Sequence, residues 1–143
     1  MSAPQRDPSP SPAPVPPSPV VLVVDDEPDV RAVLARLLES QGLGVLEAEG
    51  AAAAEGLLCR HRGRVRVALV DLRLGREDGV GALRSLRGVA PGLPCCLLSG
   101  LVLPGQEGAY LRAGFDAVLR KPFRPADVVG LVRRLLAPPP GPA

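Results

Sequence analysis

The chain has 143 residues, 46% hydrophobic and 22% charged, a globular balance with room for one domain and one buried core. Its formal net charge of +2 supports neither a polyanion binder nor an acidic solvating chain. No apolar run approaches the ~18–20 residues of a membrane span, and Val20–Val24 is too short for a signal-peptide core, so a soluble cytoplasmic protein without membrane insertion is expected.

Of the 18 prolines, eight fall in residues 1–19 and four in 138–142. Residues 1–19 and 138–143 therefore read as Pro-rich tails outside a folded domain of residues 20–137, spacers more readily than docking ligands. An odd cysteine count of 3 argues against a disulfide framework. All but one of the 17 basic residues are arginine. The single lysine, Lys121, is thus a candidate for chemistry that needs a compact point charge.

Along the domain, strands and helices alternate. VVLVV (Val20–Val24) is a continuous apolar run, as expected of a strand covered on both faces. Pro28 suits a first helical turn, and Val30, Val33, Leu34, Leu37 and Leu38 repeat at helical spacing until Gln41-Gly42. GVLEA (Gly44–Ala48) predicts a second strand, Ala51 to about His61 a helix, and Arg66–Val70 a third strand ending at Asp71. A loop, DLRLGREDG, leads into a helix over Gly79–Val89. CCLLS (Cys95–Ser99) is a fourth strand. A helix weakened by Gly105 and Gly108 lies near 104–113. Ala117–Arg120 is a fifth strand, and Val128, Leu131, Val132, Leu135 and Leu136 mark the last helix. This predicts an α/β fold: a five-stranded parallel sheet, doubly wound as (βα)5, flavodoxin-like, with strand order 2-1-3-4-5.

In such a sheet ligands bind beyond the carboxyl ends of the strands. There the pattern places Asp25, Asp26 and Glu27 after the first strand, Asp71 after the third, Ser99 at the end of the fourth and Lys121 after the fifth. Two carboxylates about 5 Å apart repel by roughly 3 kcal/mol at an effective dielectric near 20, so the cluster calls for a cation. An oxygen-only donor set at an open site suits Mg²⁺, and Lys121 and Ser99 would suit a phosphoryl group carried on a carboxylate.

VLVVDDEPDVR (Val21–Arg31), VALVDLRLGREDG (Val67–Gly79), LLSG (Leu97–Gly100) and RKPF (Arg120–Phe123) stand in an order and spacing that resemble the receiver domain of bacterial response regulators. The resemblance covers essentially all of 20–137. It implies that Asp71 accepts a phosphoryl group from a sensor histidine kinase or a histidine phosphotransfer protein. Asp25 and Asp26, with Asp71 and the backbone carbonyl of Arg73, would hold Mg²⁺. Ser99, Gly100 and Lys121 would receive the phosphoryl oxygens, and a cis bond before Pro122 would aim Lys121 inward. Output would pass to an unknown downstream protein. The chain departs from the family at Val118, the switch position, where Tyr or Phe is usual. Gly75 replaces a usual Pro and implies a looser loop. Gly100 replaces a usual Ala and is compatible with phosphoryl access. Arg73 and Leu101 stand where the family tunes phosphoryl lifetime.

Other residues take plainer readings. Glu27 and Asp29 read as helix-start charges and Asp78 as a turn residue. Cys95 and Cys96 read as buried small hydrophobes on opposite faces of one strand, and His61 as surface. Arg60, Arg62, Arg64 and Arg66 read as a solvated face, so nucleic acid is not expected as a partner. Two other functions compete with the phosphoacceptor: a phosphorylation-independent binding module of receiver type, favoured by Val118, and a Mg²⁺ phosphohydrolase. Enzymes of that last kind usually carry an acid two positions after the nucleophile, where this chain has Arg73, so no enzyme beyond self-phosphorylation and self-dephosphorylation is expected.

Overall fold

The structure, a computed structural model, describes residues 18–100 and 104–137. The readings made for residues 1–17, for 138–143 and for Leu101 lie outside the described residues.

Five strands form the sheet: β1 (Val20–Val24), β2 (Gly44–Ala48), β3 (Val65–Asp71), β4 (Cys95–Ser99) and β5 (Ala117–Arg120). All neighbours pair in parallel and the order is β2-β1-β3-β4-β5, as the sequence pattern predicts. Among the described residues five helices flank the sheet: α1 (Pro28–Glu39), α2 (Ala51–Arg60), α3 (Gly79–Val89) and α4 (Gln106–Ala113) connect successive strands, and α5 (Pro125–Leu136) follows β5.

The alternation of side chains along a strand sends successive residues into two apolar layers. Val20, Leu22 and Val24 face one layer with Ala54, Leu58, Leu83 and Leu86 of α2 and α3. Val21 and Val23 face the other with Leu34 and Leu38 of α1 and Val128 and Val132 of α5. Cys95 and Cys96 divide between the layers in the same way. Burial on both faces is why β1 carries no polar residue, each buried Val or Leu side chain being worth about 1.5–3 kcal/mol.

Local chemistry sets the helix starts. Pro28 occupies the first turn of α1 behind Glu27. Asp78, read as a turn residue, caps α3: its Oδ1 accepts the Gly81 N–H at 2.7 Å. Asp127 accepts the Arg124 N–H at 3.1 Å and tightens the start of α5. The boundaries of β3 and α4 shift by one to two residues from the pattern. The larger difference is in the segment read as a loop after Asp71. There Arg73–Leu74 and Glu77–Asp78 pair antiparallel as a short ribbon, and Gly75 at its turn has φ +65°, a conformation most residues adopt only with strain.

Candidate active site

The five strands run the same way, so their last residues share one edge, and the ends of β1, β3, β4 and β5 open there into a cleft of about 730 Å³. Asp26, Asp71, Arg73, Ser99, Gly100 and Lys121 line it, joined by Gln106 and Tyr110. Asp25 is fully buried just beneath the cleft, Asp71 and Ser99 are buried, and Asp26 is exposed.

Each side chain is held by its strand end. Asp71 closes β3 opposite Leu98, and the next peptide continues the ladder, with Leu72 N–H donating to Leu98 O at 2.8 Å. Its carboxylate is pinned at both oxygens: Oδ1 accepts the Arg73 N–H at 2.9 Å, and Oδ2 meets Lys121 Nζ at 2.7 Å. Lys121 is anchored by its own N–H on Ser99 O at 2.7 Å, and the bond to Pro122 is cis. Its ammonium also reaches Asp25 Oδ2 at 3.5 Å. Asp25 Oδ1 in turn accepts the Glu27 N–H at 2.9 Å.

The charges are unbalanced. Asp25, Asp26 and Asp71 each offer an oxygen within 4.8 Å of the others, against one ammonium. Burial first, and then Asp71, hold Asp25 up at about 6 against the Glu27 N–H and Lys121, which pull it down. Burial works against the Lys121 ammonium, yet Asp71 and Asp25 hold its pKa above the ordinary lysine value. Three carboxylate oxygens converging on a partly open cleft fit a hard divalent cation such as Mg²⁺.

Not every candidate is in the cleft. Val118 is half-buried and lines a separate groove with Leu111, Ala126 and Leu131. Glu27, read as a helix-start residue, both precedes α1 and lines the cleft. Gln106 and Tyr110 have no place among the sequence-predicted site residues. Their four-residue spacing puts them on one face of α4, and that spacing was the available signal.

A family model described as the response regulator receiver domain matches residues 21–133. The chain belongs to the response regulator receiver family. This receiver is 38% identical over 118 residues to the transcriptional regulatory protein PrrA of Mycobacterium tuberculosis, covering 82% of the chain and 50% of the relative. It is 35% identical over 123 residues to an uncharacterized 14.6 kDa protein of Leptolyngbya boryana, covering 84% of the chain and 92% of that protein. The receiver thus spans about half the length of PrrA and nearly all of the Leptolyngbya protein. Among solved structures, the chemotaxis protein CheY4 of Vibrio cholerae matches with a TM-score of 0.76 at 22% identity, over 83% of this chain and 99% of that one. A response regulator of Burkholderia pseudomallei, with a phosphorylated aspartic acid, calcium ion and citrate, matches with a TM-score of 0.70 at 26% identity, over 79% and 65%. Among the described residues no helix is long and apolar enough to cross a membrane.

Proposed function

We propose that this receiver is a phosphoacceptor of a cytoplasmic two-component phosphorelay. Asp71 takes a phosphoryl group from the phosphohistidine of a sensor histidine kinase or a histidine phosphotransfer protein. The observation that carries the reading is the Asp71 carboxylate at the cleft, held at 2.7 Å by Lys121 with Asp25 and Asp26 beside it. The phosphorylated aspartic acid and calcium ion of the similar Burkholderia protein support it.

In this mechanism an Asp71 oxygen attacks phosphorus in line with the donor nitrogen. The new O–P bond forms as the N–P bond breaks, and the imidazole leaves with the electron pair and takes up a proton. Asp25, Asp26, Asp71 and the Arg73 carbonyl are the groups that would hold Mg²⁺, which would supply charge neutralisation for the acidic cluster and the phosphoryl oxygens. Lys121 shifts from the Asp71 carboxylate to the arriving phosphoryl oxygens. Ser99 donates its hydroxyl proton to another. Gly100, with open space where a side chain would stand, leaves the approach clear. Turnover is confined to making and losing this acyl phosphate, and output passes by contact with a downstream protein. Val118 favours a second reading, a phosphorylation-independent binding module, because the aromatic switch is absent from β5.

The test is intact mass after incubation with Mg²⁺ and acetyl phosphate, with Asp71→Asn alongside. One added phosphoryl group that needs both Mg²⁺ and Asp71 supports the reading. No adduct, even with beryllofluoride, leaves the binding module as the better account.

A further inference from the structure

We infer that Arg31 is a positioning residue for the acidic cluster, setting the peptide that carries Asp25 and Asp26 toward a divalent cation. The inference rests on the reading of that cluster as a cation site. Arg31 lies in the first turns of α1, where its N–H donates to Glu27 O at 3.1 Å. Its guanidinium turns back: Nη1 donates to the Asp25 main-chain carbonyl at 2.7 Å. On the other side Nε lies 3.4 Å from Glu47 Oε1 on β2. One side chain therefore ties α1, the end of β1 and the edge strand together.

The carbonyl it holds has leverage. The Asp25 N–H is already used by Ala48 O at 3.0 Å, and its Oδ1 by Glu27. The carbonyl is thus the remaining main-chain handle on this residue. A peptide unit is planar, so holding its oxygen restrains the plane between Asp25 and Asp26 and with it the two Cα atoms from which both side chains leave. The guanidinium is placed there despite an unfavourable setting. The Arg31 side chain is only 18% exposed, and among the described residues its buried Nε meets no hydrogen-bond partner. Glu47 is near enough to balance its charge but not aligned to accept from that nitrogen. The one hydrogen bond the guanidinium makes to Asp25 is therefore the contact that places it.

Partners behind a metal's ligands commonly change affinity by tenfold or more when removed. The experiment is a calorimetric Mg²⁺ titration of the full chain, wild type against Arg31→Met, which keeps the apolar stem, and Arg31→Lys, which keeps one donor. Arg31→Met is expected to need about tenfold more Mg²⁺ for half-saturation. Arg31→Lys is expected to stay within about threefold of wild type, since an ammonium still donates to the Asp25 carbonyl. Folded Arg31→Met within about twofold of wild type overturns the inference, as does an equal loss in both variants. If Arg31→Met does not fold, Arg31→Gln, too short to reach the carbonyl, replaces it with the same expectations. A wild-type chain that binds Mg²⁺ yet forms no beryllofluoride adduct defeats the phosphoacceptor reading while the titration still decides Arg31. A chain that binds no Mg²⁺ overturns both.

Discussion

Gly79→Ala places one methyl group against the strand that carries Asp71. Gly79 opens α3, with its N–H on Leu72 O at 2.7 Å. A Cβ there would stand 2.8 Å from the Asp71 carbonyl oxygen, 2.9 Å from Leu97 Cδ1 and 3.1 Å from Leu72 Cα. Two of those three atoms are backbone, fixed by the β3–β4 ladder, so the methyl cannot be relieved by a rotamer change. The Gly79 backbone torsion is ordinary, and the whole effect is steric. Overpacking of this kind costs about 1–3 kcal/mol, and the gain from replacing a helical glycine returns at most about 1 kcal/mol. A net loss of about 2 kcal/mol corresponds to a melting temperature lower by roughly 6–10 °C for a domain of this size. Gly88→Ala in the same helix is the control: nothing lies within 4 Å of its Cβ, and a gain of about 0.5–1 kcal/mol is expected. Thermal and urea unfolding followed by circular dichroism read both. Gly79→Ala should also slow Asp71 phosphorylation by acetyl phosphate, because the displaced carbonyl belongs to the acceptor. If Gly79→Ala melts at or above wild type, or the two alanines shift stability alike, the packing argument is wrong.

Lys121→Met removes the ammonium from between Asp25 and Asp71 and should destabilise the metal-free chain by about 2–4 kcal/mol, with part of the loss recovered by added Mg²⁺; urea titrations with and without Mg²⁺ check it. Burial holds the Cys95 and Cys96 thiols up at about 11 and about 12, whereas Cys59 is exposed. Native protein at pH 8 should therefore release one equivalent from a disulfide thiol reagent and three after unfolding. Tyr110 is the only tyrosine in a chain without tryptophan, and it lines the cleft. Its emission should change on adding Mg²⁺ and beryllofluoride, and should not change in Asp71→Asn.

The sheet was legible because its strands are buried on both faces. Val20–Val24 has no polar residue to blur its limits, Cys95–Ser99 has none before Ser99, and the residues at or just past the strand ends are the cluster itself. Asp25, Asp71, Ser99 and Lys121 could be named from strand ends alone. The ribbon from Arg73 to Asp78 was not legible, since two-residue strands show no periodicity. The cap at Asp78 was half-read: a short acidic side chain before Gly79 marks a turn and a helix start equally. Arg31 stood inside a quoted motif without a role, because nothing in a helix's spacing says that a side chain folds back onto the preceding strand. The crowding at Gly79 depends on how closely α3 approaches β3, a distance that no local pattern encodes.

The lysine enters from the margin of the sheet. The carboxylates it joins stand at the ends of β1 and β3, which have neighbours on both sides, whereas among the described residues β5 pairs with β4 alone. Edge strands open at lower free energy than central ones, so the ammonium can withdraw in local excursions that leave the aspartates in place. Amide exchange across Val118–Lys121 should accordingly run faster than across Val67–Val70. Occupancy of the Lys121–Asp71 contact would then be a dynamic variable, and whatever settles onto the outer side of β5 would change it from a distance.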